Sequence, residues 1–332
     1  MTLDPLDALR LNLDPATPDA TALVESTSSS WLARELRGLG FPDDASADVE
    51  TAWDVLRADA ELSDALARVV ASVDAARGDP VAPLHFLGDF ESRGDAGRLF
   101  YHYVIALCAP RMRGFLAARG LPERVIDETA ASFARHGEIY RRKFGAVGMD
   151  AGWWQLLALR GELVQVGRLQ YHYLVLGEST LTPWTWYDDV DAARLGPGFR
   201  HGDPSWGLHI PDGPDFTHSA IDESLDEARD VLGAAWPTDR RRLATCMSWL
   251  LDEHLGDFLA PSSHILDFQR RFTMVPGGHD DDADTLEFVF RAPGVALADL
   301  PQVTGLQRGI VARLRAGGHW RAVTGWFDFD GN

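Results

Sequence analysis

Only two cysteines, Cys108 and Cys246, occur in the 332 residues. A disulfide framework is not expected, and a reducing, cytoplasmic setting is. Lysine is scarcer still: Lys143 is the only one among 31 basic residues, which nearly removes lysine from the candidate catalytic groups. Acidic residues number 50, for a formal net charge of −19. Nucleic-acid binding needs clustered Lys and Arg against phosphates, and an anionic membrane surface repels such a chain, so neither partner is expected. No stretch approaches the ~18 uninterrupted apolar residues of a membrane-spanning helix. The opening segment, Met1–Asp14, carries acids and has no basic region ahead of an apolar run, unlike a secretory leader. No metal is expected either. Zinc-type Cys/His spacing is missing, and the run His279–Asp284 lacks the glycine and glutamate of an EF-hand loop, so it reads as an exposed acidic turn.

Hydrophobic residues make up 45% and charged residues 24%, and the length suits about two domains. Tryptophan is plentiful and gathers late: Trp184, Trp186, Trp206, Trp236, Trp249, Trp320 and Trp326. Most of these rings are expected in a core, with an apolar ligand site as the alternative. Residues 1–28, rich in Asp, Pro, Thr and Ser, read as a loosely ordered lead-in. From Trp31 to Val73 the apolar spacing is helical, with Ser46 a candidate cap. Val81–Leu87 reads as a short strand and Ala96–Arg119 as an apolar helix. A second helix runs from Pro122 to Lys143 and stops before Gly145. Trp153–Leu159 and Leu163–Leu176 read as two strands joined at Gly161. After a Trp- and Gly-rich loop, a strand is expected at Trp206–Ile210 and a turn at Pro211–Pro214. A helix from Ser219 comes next, with Asp222 completing a capping box. Leu243–Leu251 reads as a buried strand and Leu255–Phe268 as broken helix. Phe272–Val275 and Thr285–Arg291 read as strands, Leu306–Ala316 as a helix, and His319–Phe327 as a final strand.

From Val81 this is the element order of the GNAT N-acyltransferase superfamily. Particular segments sharpen the likeness: Gly167–Tyr171, Leu208–Pro211, Ser248–Asp252, Phe268–Phe272, Leu306–Arg308 and Gly317–Trp320. They resemble bacterial acyltransferase-domain proteins that pair an N-terminal helical N-acyltransferase domain with a GNAT-like C-terminal domain. The resemblance covers most of the chain and is strongest from residue 150 onward. It implies an α/β (α+β) fold with a mixed central sheet flanked by helices, preceded by a helical N-terminal region. The division expected is 1–80 as lead-in and helical region with 81–332 as the GNAT-like fold; the alternative splits the chain into 1–148 and 149–332. The implied activity is acyl transfer from a thioester, acyl-CoA or an acyl carrier protein, to an amine or hydroxyl of a small molecule. A non-catalytic binding or regulatory module on the same scaffold is the alternative reading.

Two segments depart from the family pattern. The loop that ordinarily cradles pyrophosphate with glycines and a basic residue is here Ile210–Ser219, which has one glycine, Gly213, no arginine and two acids. The helix after it opens with Asp222 and Glu223, which place negative charge at its anion-attracting end. The second departure is Ser263-His264-Ile265, where the family has Ser-Asn-Ile.

The resemblance places the chemistry between the strand ending at His209-Ile210 and the strand through Cys246–Trp249. His209 is a candidate base, with a structural histidine as the alternative. Asp252 is a candidate partner for it, or a helix cap. Ser248 shares one strand face with Cys246, which reads as a small buried hydrophobe in preference to an acyl-cysteine. Ser263 stands where the resemblance implies a general acid, or serves as an N-cap. Ile210, Gly213, Ser219 and Arg242, with Arg241 beside it, are the candidate contacts to the donor's phosphates. Arg168, Trp206 and Trp249 are candidate substrate contacts; an internal ion pair is the alternative for Arg168. Arg141, Arg142 and Lys143 are the basic patch that a carrier protein would use.

Overall fold

The computed structural model describes residues 4–331 apart from 86, 179–180, 183–194, 196–198, 214, 239–241 and 293. Trp184, Trp186, Arg241 and Pro214 therefore lie outside the described residues. The chain forms two compact units, one containing the segment up to Val166 with Ala234–Trp236, the other containing Gly167–Gly177 and most of the residues C-terminal to it.

The first unit is mainly helical, and its helices begin earlier than expected. α1 (Pro5–Asn12) and α2 (Pro18–Ser26) occupy the segment read as a loose lead-in. Asp4 and Thr17 cap them by accepting from Leu6 N and Ala20 N, and a proline opens each first turn. Leu6, Leu9, Ala20 and Val24 are buried, and both helices lie against α5. Four apolar residues at helical spacing suffice here because tertiary burial, not composition, decides the outcome.

α3 (Ser29–Gly38), α4 (Asp43–Ala58) and α5 (Ala60–Ala75) come next. Ser46 is not a cap: α4 starts at Asp43, and the Ser46 hydroxyl donates to Pro42 O inside the helix. The strand expected at 81–87 contracts to β1 (Leu84–His85). Then come α6 (Gly94–Arg98), α7 (Phe100–Ala118) and α8 (Glu123–Phe144). Residues 100–109 of α7 are all buried, as befits a helix packed on every side; it touches α3, α5, α8 and α9 (Gln155–Leu159). The strand expected at 153–159 is thus helical, a short apolar run whose periodicity fits either state. β2 (Leu163–Val166) closes the unit. Beside it lies a buried ion pair, Arg160 Nε to Glu162 Oε1 at 2.7 Å, each side chain 2% exposed. The same guanidinium donates to the carbonyls of Asp79, Ala82 and Pro83. Burial pushes Glu162 up to about 8 despite the arginine.

The second unit holds a mixed sheet in the order β3–β5–β6–β9–β7, with β8 also on β9. Its strands are β3 (Leu169–Val175), β5 (Pro204–His209), β6 (Leu243–Ser248), β7 (Thr273–Met274), β8 (His279–Asp280) and β9 (Arg321–Asp328); β4 (Leu181–Thr182) is a two-residue strand apart from it. β3 begins after the Gly167-Arg168 turn, so the long strand expected over 163–176 is broken there. β5 and β6 are parallel and the other pairs antiparallel. A parallel pair requires a crossover, supplied by α10 (His218–Ala235). Ser224 on α10 fastens it to one sheet face, accepting from Leu169 N at 3.2 Å and lying 3.0 Å from the Tyr171 hydroxyl.

α11 (His264–Gln269), α12 (Asp282–Phe290) and α13 (Gly305–Arg315) complete the unit. The strand expected at 285–291 is α12. Asp281 caps it by accepting from Asp284 N, so the acidic run that read as a turn is in part a helix start. A satellite core gathers Trp249, Leu255, Phe290, Leu300, Ile310, Val311 and Trp320.

Candidate active site

The parallel strands stay together for three residues only. Ser205, Trp206 and Gly207 face Leu243, Ala244 and Thr245, and the pairing then stops. Leu208-His209 and Cys246–Ser248 continue with their outer neighbours, β3 and β9. A gap therefore opens between the C-terminal ends of β5 and β6, the position at which open sheets with crossover helices bind ligands.

Alternation assigns the side chains. Ser205, Gly207 and His209 share a face with Leu243, Thr245 and Met247, while Cys246 and Ser248 point to the other. On the first face the Ser205 and Thr245 hydroxyls meet at 3.3 Å, just before the strands part. His209 lies beside fully buried His172 with ring centroids 5.8 Å apart. Gly207 lets the Leu174 side chain pack directly over the strand: a Cβ there would stand 2.8 Å from Leu174 Cδ1. Met247, 39% exposed, stands at the mouth. Burial pushes His209 down to about 4, so its ring is neutral near pH 7 and a weak proton acceptor. The Cys246 thiol is pushed up to about 12 by burial and stays protonated, which removes it as a nucleophile.

The expected His209–Asp252 pair does not form. Asp252 is buried beyond the end of β6; its Oδ1 accepts from His254 N (2.9 Å) and meets His254 Nδ1 (2.6 Å), and its Oδ2 accepts from Arg321 N (2.9 Å). Ser248 Oγ accepts from Leu250 N, and Ser263 Oγ accepts from Ile265 N, so both act as caps. Trp249 belongs to the satellite core. Trp206 is fully buried between Tyr173 and Phe329 on the α10 side of the sheet, the face opposite to His209.

The loop after β5 is held from outside itself. Arg168, in the turn before β3 and not mid-strand, donates to Pro211 O at 2.9 Å and reaches Gly213 O at 3.5 Å. Its guanidinium also lies 5.4 Å from the Phe216 ring. Ile210 and Gly213 are in this loop. Thr217, not Ser219, caps α10, its hydroxyl accepting from Ala220 N; Ser219 Oγ lies 3.4 Å from Thr217 Oγ1. The acid at the helix start is paired: Asp222 meets Arg271 and, at 2.9 Å, His218 Nε2. The His218 hydrogen bond, followed by the charges of His218 and Arg271, holds Asp267 below the usual carboxylate range. Arg168 and Asp222 were singled out separately, each in its own motif, but their meeting with Arg271 was not, because Arg168 and Arg271 are remote in the chain; the signals were the motifs Gly167–Tyr171 and Phe268–Phe272.

Arg242 is committed elsewhere: its Nε and Nη2 bind Asp330 Oδ1 at 2.8 and 2.6 Å, and its backbone N donates to Asp330 Oδ2. At the end of α8, Arg141 grips Asp44 through two bonds and Lys143 lies on Asp150 at 2.5 Å. Two of the three cations proposed for a carrier protein are thus already paired.

Residues 31–161 match the family model for an N-acyltransferase N-terminal domain, and residues 163–327 match that for a GNAT-like C-terminal domain. No curated protein matches the chain. Among solved structures, an acyltransferase in complex with decanoyl-CoA is 32% identical with a TM-score of 0.76, over 89% of this chain and 87% of that one. An acyltransferase in complex with CoA and 10C-teicoplanin is 32% identical, again with a TM-score of 0.76, over 90% and 87%. An acyltransferase in complex with decanoyl-CoA and teicoplanin gives the same identity, score and coverage.

Proposed function

The chain belongs to the acyltransferases that join an N-acyltransferase N-terminal domain to a GNAT-like C-terminal domain, and on that premise we propose that it moves a fatty-acyl group from acyl-CoA to an amine or hydroxyl of a small-molecule acceptor. The observation that carries this reading is the end of β5–β6 pairing at Gly207 and Thr245, which leaves room for a thioester between two otherwise continuous strands. The decanoyl-CoA and teicoplanin complexes of the 32% identical structures support the donor and the acceptor class.

The residues around the gap fit such a donor. Arg168 and Arg271 bring positive charge to a loop that has none of its own, offsetting Asp222 where the donor's phosphates would lie. His209 offers a neutral imidazole at the gap's edge, suited to hydrogen-bonding the thioester or the acceptor. Backbone N–H groups released where the strands part can stabilise the oxyanion. The acceptor nitrogen attacks the thioester carbonyl; a C–N bond forms, the C–S bond breaks, and the amine's proton is lost as the thiolate gains one. We place the protein in the cytoplasm on its two free, buried thiols; among the described residues no helix is long and apolar enough to cross a membrane.

The test is decanoyl-CoA with the full chain. The reading expects thermal stabilisation by decanoyl-CoA, thiol release dependent on an acceptor such as teicoplanin, and a ~10²-fold loss of rate in His209→Ala. An unshifted melting temperature at saturating decanoyl-CoA would refute it.

A further inference from the structure

We propose that His254, oriented by Asp252, is the group that takes the acceptor's proton during acyl transfer; this rests on the acyl-transfer reading above. Three observations carry it. The first is the hydrogen bond itself. A helix cap needs only the Asp252 contact to His254 N, yet the same Oδ1 also meets His254 Nδ1 at 2.6 Å. A carboxylate there favours the tautomer with the proton on Nδ1 and turns Nε2 outward as an acceptor.

The second is the contrast in burial. His218 and His319 also meet carboxylates, but their side chains are about 60% exposed and the carboxylates are 29–40% exposed. Such pairs are ordinary surface contacts. In the third pair the Asp252 side chain is 2% exposed and the His254 side chain 32%: a buried carboxylate behind an accessible ring. The mount is rigid as well. Asp252 Oδ2 accepts from Arg321 N, and Gln269 Nε2 donates to Leu250 O (2.7 Å) and Asp252 O (3.0 Å).

The third is position. Arg321 lies two residues before Val323, the β9 partner of Ser248. The pair therefore stands past the C-terminal end of β6, on the β9 side, at the same end of the sheet toward which β5 and β6 run after parting at Thr245. His209, the other imidazole at that end, is driven by burial toward a weakly basic state, which suits it to hydrogen-bonding more than to taking a proton.

The balance is simple. R–CO–S–CoA and R′–NH2 give R–CO–NH–R′ and HS–CoA. His254 Nε2 takes one proton from the attacking nitrogen, and one proton passes to the departing thiolate, so the protein ends unchanged.

Diethyl pyrocarbonate acylates accessible histidine nitrogens, and mass spectrometry locates the adduct on the intact enzyme. His254 is expected to react in the free protein and to be protected at least ~10-fold by saturating decanoyl-CoA. His254→Gln is expected to lower kcat ~10²-fold or more with the KM for decanoyl-CoA changed less than ~3-fold, and free imidazole is expected to restore part of the rate of His254→Ala. Unprotected His254 in enzyme that decanoyl-CoA does stabilise thermally overturns the proposal and spares the acyl-transfer reading. Wild-type kcat in His254→Gln has the same consequence. Absence of thermal stabilisation overturns both.

Discussion

The hydroxyls of Ser205 and Thr245 meet at 3.3 Å across the last paired residues of the parallel strands. They form a polar clasp in a buried setting, and the strands part immediately beyond it. Thr245→Val keeps the shape and leaves the Ser205 hydroxyl without this partner. The expected cost is about 1–2 kcal/mol, measured by urea unfolding, with a rise in the KM for decanoyl-CoA if the clasp sets the width of the gap.

Arg168 ties the turn before β3 to the loop after β5. Arg168→Met retains much of the stem and loses the bonds to the loop carbonyls. The KM for decanoyl-CoA is expected to rise about tenfold, equivalent to ~1.4 kcal/mol, with kcat little changed. An unchanged KM would place the loop outside the donor site.

Two histidines shape the acid limb of stability. Burial pushes His209 down to about 4 and His102 down to about 3. Both are neutral in the folded protein at pH 5, whereas an unfolded histidine, near 6.5, is largely protonated there. The unfolded chain thus binds more protons between about pH 6.5 and 4, so stability is full above pH 6.5 and falls as pH drops through that window. His102→Phe, next to Phe41 in the first unit, is expected to flatten the fall in melting temperature between pH 7 and 5, read by calorimetry.

Arg160 and Glu162 test the buried ion pair. Arg160→Met leaves Glu162 without its 2.7 Å partner and frees three carbonyls that the guanidinium holds. A loss of about 3–5 kcal/mol is expected. Adding Glu162→Gln should change stability little further at pH 7, because burial already holds the Glu162 carboxyl largely neutral there.

Much of the second unit was legible because its strands announce themselves. β5, β6 and β9 fall within a residue or three of their expected bounds, and the crossover helix lies between the right pair. Reading failed where local pattern was ambiguous and burial decided. Leu156–Leu159 and Thr285–Phe290 are short apolar runs that fold as helix once capped or packed. The gap between β5 and β6 was anticipated, since the resemblance put the chemistry there. Its furnishing was less legible. Asp252 was singled out, yet its partner is His254, two residues on, rather than His209. Trp206 and Trp249 read as substrate contacts, and tertiary packing instead surrounds one with the sheet's aromatic rings and the other with the satellite core. Arg168 and Arg271 became neighbours of one loop through tertiary folding, which no spacing along the chain reveals.

The parted strands carry one more consequence, for the peptide groups themselves. Past Gly207 and Thr245 the β5–β6 ladder adds no further rung, although the outer edges of both strands stay bonded to β3 and β9. Their amide hydrogens should exchange with solvent deuterium far faster than those of the three paired residues. Any molecule that fills the cleft and completes the ladder will slow them. Residues 208 and 246–248 are thus a built-in occupancy gauge, readable without a label, a known acceptor or a turnover assay.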